Sequence, residues 1–83
     1  MAWRILFSQR ANQDFLSLEK TEAERIQKKL EEAAGNPAHF FGRLSGAEDY
    51  KLKVGDYRII VLLLHEKEMV FVEKIGHRKN IYK

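Results

Sequence analysis

No cysteine occurs in the 83 residues, which excludes disulfides and thiolate metal sites. That absence does not separate an oxidising from a reducing compartment. Proline occurs once and glycine five times, too few for a flexible linker or a low-complexity tract. No apolar run approaches the roughly 20 residues that span a bilayer. The opening Met1-Ala2-Trp3-Arg4 lacks a signal-peptide pattern, so the expected location is the cytoplasm. His39, His65 and His77 show no metal-ligand spacing, and neither a metal nor another cofactor is expected. A chain this short, divided in two, would leave neither half enough apolar surface to offset its ordering entropy. One domain over residues 1–83 is therefore expected.

What is present is an ordinary globular mixture, 45% hydrophobic and 33% charged, with an uneven distribution of charge. Residues 1–48 hold seven Lys/Arg and seven Asp/Glu, whereas residues 49–83 hold eight against five. The formal net charge of +3 thus lies entirely in the C-terminal part. A basic half suits a phosphate-rich partner, although a solvated surface has the same composition.

Residues 3–7 are apolar and aromatic, as a first strand requires. Ser8 caps a helix in which Ala11, Phe15 and Leu18 share one face while Arg10, Asp14 and Glu19 point away; it runs to about Glu19. Thr21-Glu22-Ala23-Glu24 has the form of a capping box opening a second helix, whose stripe is Ala23, Ile26, Leu30 and Ala33/Ala34. Gly35-Asn36-Pro37 stops it, and the pair reads as an antiparallel helical hairpin. Residues 38–46 read as a loop with one helical turn, pinned by Phe40, Phe41 and Leu44.

The alternation of residues 50–54 puts Tyr50, Leu52 and Val54 on one side of a strand and Lys51 and Lys53 on the other. Gly55-Asp56 is a hairpin turn, residues 57–64 a central strand covered on both sides, and residues 65–68 the next turn. Residues 69–75 form the last strand, and 76–83 a basic tail containing Tyr82. The expected fold is α+β, in the order β-α-α-β-β-β, with a helical hairpin covering one face of a sheet that ends in a three-stranded antiparallel meander. Trp3, Phe7, Phe15, Phe40, Phe41 and Phe71 are expected in the core.

The other sheet face stays partly open, and strand parity places Lys51 and Lys53 on it. Arg58 follows the hairpin and Arg78 the last strand, and the tail can carry His77 and Tyr82 back to the same surface. Like charges gathered on a small sheet are reasonable chiefly when a polyanion neutralises them. In RNA cleavage the 2′-hydroxyl attacks the adjacent phosphorus, and fixed cations stabilise the charge that builds on the non-bridging oxygens. Each residue also has a plainer role. Lys51 and Lys53 fit as solvent-facing strand residues, Arg58 as a partner of Asp56 or Asp49, and Arg78, Lys79 and Lys83 as a frayed basic end with Tyr82 plugging the tail onto the sheet.

Leu44-Ser45-Gly46, then Tyr50-Lys51-Leu52-Lys53-Val54-Gly55-Asp56-Tyr57-Arg58-Ile59-Ile60-Val61, then Gly76-His77-Arg78-Lys79-Asn80-Ile81-Tyr82 resemble the C-terminal half of RelE-type toxins of the RelE/ParE superfamily. The order of helices and strands along the whole chain is similar as well. The resemblance implies a ribosome-dependent endoribonuclease that cuts messenger RNA in the A site, with Lys51, Lys53, Arg58, Arg78 and Tyr82 as its catalytic set. Lys51 or Lys53 would help remove the 2′-hydroxyl proton, Arg58 hold the phosphate, Arg78 stabilise or protonate the leaving 5′-oxygen, and Tyr82 stack on a base, with the acid and base roles exchangeable. Lys74, His77, Lys79 and Lys83 would contact the RNA, and His77 is the alternative acid-base group by its intrinsic pKa. The implied partners are the ribosome with its message, a RelB-like antitoxin, and operator DNA through the toxin-antitoxin complex only. Two other functions stand beside this one: a ParE-like inhibitor of DNA gyrase, and a non-catalytic binding protein of the same fold.

Overall fold

The computed structural model describes residues 2–44 and 49–81. Strand β1 (Arg4–Phe7) leads into helix α1 (Gln9–Leu16), helix α2 (Lys20–Ala34), a single helical turn α3 (Pro37–Phe40) and a two-residue strand β2 (Gly42–Arg43). Strands β3 (Asp49–Val54), β4 (Tyr57–Leu64) and β5 (Met69–His77) complete the chain, with a 3₁₀ turn at His65–Lys67 before β5. The expected α+β order is found; α3 is the single helical turn expected in the connection after α2, and β2 is added there.

The sheet runs β1-β5-β4-β3-β2. The meander strands pair antiparallel, while β1 lies parallel to β5, a pairing open to them because helices and strands separate the two in sequence. Gly55 turns the β3–β4 hairpin at φ 59°, in the left-handed region where glycine carries no steric penalty. Helix α1 docks on β5 and β1, and α2 on β1 and β3. Ile26, Leu30, Ala33 and Ala34 of α2 bury against Leu52, Val54, Ile59, Val61, Val70, Val72 and Ile75.

One irregularity controls what faces outward. The β4–β5 register slips between Ile60 and Val61, so Ile60 pairs with Lys74 and Val61 with Val72. Glu73 is the extra residue of this β-bulge. Val70 and Val72 before it, and Ile75 after it, all reach the core, so Glu73 and Lys74 both lie on the opposite face.

Strand β1 is shorter than β5, and the side chains that follow it serve the backbone groups left over. Ser8 Oγ accepts from Ala11 N at 2.9 Å as the α1 cap and donates to Glu73 O at 2.7 Å. Asp14 Oδ2 accepts from Ile75 N at 3.0 Å. Asp14 was expected to point away from the sheet with Arg10; the helix instead turns it to β5, where an amide beyond the end of β1 needs an acceptor.

Three further boundaries differ from expectation. Helix α1 ends at Leu16, because half-buried Leu18 docks on the core and the chain reverses at residues 17–19. Helix α2 therefore begins at Lys20 with Glu19 as its cap and no side-chain cap bond, which puts Thr21 inside the helix and leaves the capping box unformed. Strand β5 extends to His77, taking Gly76 and His77 out of the tail. Of the aromatics expected in the core, Phe41 is buried there and Trp3, Phe7, Phe15 and Phe40 pack against it. Phe71, opposite Leu62 and Leu6, belongs to the other face and is half-buried.

Candidate active site on the open sheet face

Residues paired across neighbouring strands project to the same side of a sheet. The register therefore builds the open face in rows. Lys53, Arg58 and Gly76 form the row nearest the hairpin; Lys51, Ile60 and Lys74 form the next; Asp49, Leu62, Phe71 and Leu6 form the third. Lys51, Lys53, Arg58 and Lys74 thus share one face in two adjacent rows.

Arg58 is held by its own turn. Its Nη1 donates to Gly55 O and to Tyr57 O, each at 2.9 Å, which fixes the guanidinium over the hairpin and leaves its remaining N–H groups for an anion. Asp56, one of the partners weighed for Arg58, lies instead 3.7 Å from Arg78 Nε through Oδ1. Arg78 N also donates to Asp56 O at 2.7 Å, which ties the end of β5 to the hairpin on which Arg58 sits.

The tail turns back over this face. Ile81 is 4% exposed, and its Cδ1 lies 2.9 Å from where a Cβ on Gly76 would stand. Ile81 N and Asn80 N both donate to His77 O, at 3.0 and 2.8 Å. A Cβ at residue 76 would therefore displace the tip of the Ile81 side chain, while Ile81 Cβ and Cγ1, at 3.7 and 3.8 Å, would stay in ordinary contact. Gly76→Ala is expected to turn the Ile81 Cδ1 methyl aside, to cost about 1 kcal/mol, the low end of overpacking, and to speed hydrogen exchange at the Ile81 amide. Adding Ile81→Val, which removes Cδ1, should restore most of that protection; equal exchange in all three proteins would refute the contact.

His77 goes elsewhere. It pairs with Tyr57, whose ring it meets edge-on at 5.8 Å, and lines a cleft of about 600 Å³ on the helix side with Asp14, Leu18, Glu22 and Arg25. Its Nδ1 accepts from Lys79 N at 3.2 Å. Lys79 is exposed on the turn after β5. Ser45, Gly46, Tyr82 and Lys83 lie outside the described residues.

Two features of the site escaped the sequence. The first is a carboxyl pair: Glu73, brought to the open face by the bulge, is hydrogen-bonded to Asp49. Burial, then that bond and the Asp49 charge, raise the Glu73 pKa above its usual 4.5, with Lys74 opposing. Its Oε1 is buried without a hydrogen-bond partner. Glu73 therefore holds its proton more tightly folded than unfolded. It favours folding below about pH 4.5, and that contribution is lost as pH rises through the folded value. Glu73→Gln should accordingly raise Tm at pH 7 and leave it unchanged at pH 4. A Tm lowered at pH 7 would show that the ionised carboxylate stabilises the fold. The second feature is that Arg25, Lys28 and Lys29 of α2 reach the same edge of the sheet as Lys53. Their i, i+3, i+4 spacing was visible as a basic stripe.

A helical pair on one side of a five-stranded sheet, with two cationic rows on the other, is the architecture of a small toxin fold, and the chain belongs to the RelE/ParE superfamily. Residues 5–82 match the profile of the ParE toxin of type II toxin-antitoxin systems, parDE. Over 82 residues the chain is 34% identical to the mRNA interferase toxin RelE of Escherichia coli (strain K12), covering 95% of this chain and 86% of that protein. The fold matches the intact E. coli RelBE toxin-antitoxin complex with a TM-score of 0.80 at 32% identity, over 92% of this chain and 96% of that one. It matches the isolated E. coli RelE toxin with a TM-score of 0.81 at 31% identity, over 98% of this chain and 92% of that one.

Proposed function

We propose that this chain, acting as one toxin domain over residues 1–83, is a ribosome-dependent endoribonuclease that cleaves messenger RNA in the A site. The observation that carries it is the direct pairing of Lys53 with Arg58, beside a row holding Lys51 and Lys74, in a chain 34% identical to an mRNA interferase. The 2′-hydroxyl attacks the adjacent phosphorus, the bond to the 5′-oxygen breaks, and the products are a 2′,3′-cyclic phosphate and a 5′-hydroxyl. Arg58 and Lys53 stabilise the phosphorane charge, where preorganised donors act on charge that exists only in the transition state. Lys51 takes the 2′-hydroxyl proton or passes that role to Lys53, and Arg78 serves the leaving oxygen. Tyr82 stacks on a base, while Lys74, Lys79 and Lys83 hold neighbouring phosphates. His77, opposite Tyr57 on the helix-facing side, is assigned to the cleft there and not to the chemistry.

A RelB-like antitoxin is the regulatory partner, as the RelBE complex of the E. coli relative suggests. The cytoplasm, where ribosomes work, is the site of action; among the described residues no helix is long and apolar enough to cross a membrane. The matched ParE profile favours a second reading, inhibition of DNA gyrase. One experiment separates them: mapping the 5′ ends of a translated message with and without ribosomes, alongside a DNA supercoiling assay. Codon-phased 5′ ends that need ribosomes support the nuclease. Intact message with blocked supercoiling supports the gyrase inhibitor and refutes it.

A further inference from the structure

Two carboxyls meet across β4 on the open face, beside the row that holds Lys51 and Lys74. Asp49 precedes Lys51 on β3 and projects to the same side, and the bulge sets Glu73 next to Lys74 on β5. The hydrogen bond between them needs a proton, because two ionised carboxylates offer acceptors only. Glu73 Oε1 is buried with no donor facing it, a state that an added proton also relieves. We propose that Glu73 couples message binding to proton uptake: when a phosphate of the message settles on Lys51 and Lys74, the Asp49–Glu73 pair takes one proton from solvent. The inference rests on the message-binding reading of this face and adds a regulatory group to it.

The charges around the pair set the direction. Among the described residues, the titratable side chains that face Glu73 are Asp49 and Lys51 from β3 and Lys74 from its own strand; β4 presents Ile60 and Leu62, and β1 presents Leu6. Lys53, Arg58 and, on β1, Arg4 stand a row farther off. In the free chain burial and Asp49 favour the protonated carboxyl, and Lys74 opposes them. A bound phosphate cancels that opposition. It neutralises the lysines and sets a further anion beside Glu73, and both changes favour the proton.

The same cluster explains why acids can stand on a face otherwise built for a polyanion. Two fixed negative charges beside Lys51 and Lys74 would weaken RNA binding, whereas a pair that sheds one charge as the RNA arrives removes part of that penalty. A mere brace between β3 and β5 needs no acid, since an amide could bond Asp49 as well. Uptake also takes an anion away from Lys51, the group proposed to receive the 2′-hydroxyl proton.

The test is equilibrium binding of the full chain to ribosomes carrying a message with a 2′-deoxy A-site codon, at fixed salt over a series of pH values. Wild type is compared with Glu73→Gln, which keeps the shape of the neutral form and can bond Asp49 at every pH. Titrations of the ribosome and of other side chains are common to both proteins and cancel in the ratio of affinities. With message bound, Glu73 keeps its proton to higher pH than in the free chain. Its contribution to log K is therefore fully present at acidic pH and is lost as pH rises through that window, with a slope approaching about −1 for one proton. The two proteins are expected to bind alike at the acidic end. Glu73→Gln should bind tighter at the alkaline end, by about tenfold for each pH unit of the window. Parallel profiles would overturn the coupling. So would a Glu73→Gln chain uniformly weaker at every pH, which would reduce the pair to a brace between strands. Binding is read whether or not RNA is cut. A chain that shows the Glu73-dependent slope yet leaves ordinary message intact removes the nuclease reading alone, whereas parallel profiles in a chain that cuts message in the A site remove the proton coupling alone.

Discussion

Arg58→Ala is expected to lower single-turnover cleavage of ribosome-bound message by about 10²–10³, the usual cost of removing one preorganised oxyanion donor. The size follows from how the side chain is held. With Nη1 anchored on Gly55 O and Tyr57 O, the guanidinium need not be reorganised when charge develops on the phosphate. A lysine at 58 lacks the planar fork that bonds a carbonyl and a phosphate together, so Arg58→Lys should recover little. Removing the two carbonyl bonds will also cost some hairpin stability, and Tm must be measured beside the rate. A rate that falls only as far as the folded fraction falls would reduce Arg58 to a hairpin brace.

Truncating Ile26 to alanine should destabilise the fold by about 2–5 kcal/mol, against about 0.5–1.5 kcal/mol for Ile26→Val. Ile26 is 0% exposed in the middle of α2, in the core cluster that the helix forms with the meander. Native stability in proteins is about 0.05–0.15 kcal/mol per residue, so the loss is a large share of the total for a chain this short. Urea denaturation should show a lower midpoint with an unchanged slope. A shift under about 1 kcal/mol would mean that α2 does not bear on the core as described.

The strands were legible because burial on one face imposes a period of two. Tyr50, Leu52 and Val54 against Lys51 and Lys53 left a single register, and the lysines lie on the face that alternation assigned them. What escaped depended on contacts distant in sequence. Nothing local in Asp14 announces that its acceptor serves Ile75, and no propensity reveals that Leu18 docks first and moves the start of α2 ahead of Thr21. The bulge did leave a trace: Val70, Val72 and Ile75 change phase across Glu73-Lys74, a break that an expectation of plain alternation passes over. Following that phase one step further puts His77 with Ile75 on the helix side, whereas reading Gly76 as the end of the strand sent it to the tail. Gly76 instead serves as the seat for Ile81.

Acetylation of lysines in the ribosome-bound protein tests most directly whether the open face receives the scissile phosphate. Ribosomes with no message are compared with ribosomes holding a 2′-deoxy message that cannot be cut, and each lysine is read by mass spectrometry. Lys51 and Lys53 should become protected only when the message is present, while Lys20 and Lys67 react equally in both. If Lys51 and Lys53 are modified at the same rate with the message as without it, the substrate lies somewhere else on the protein.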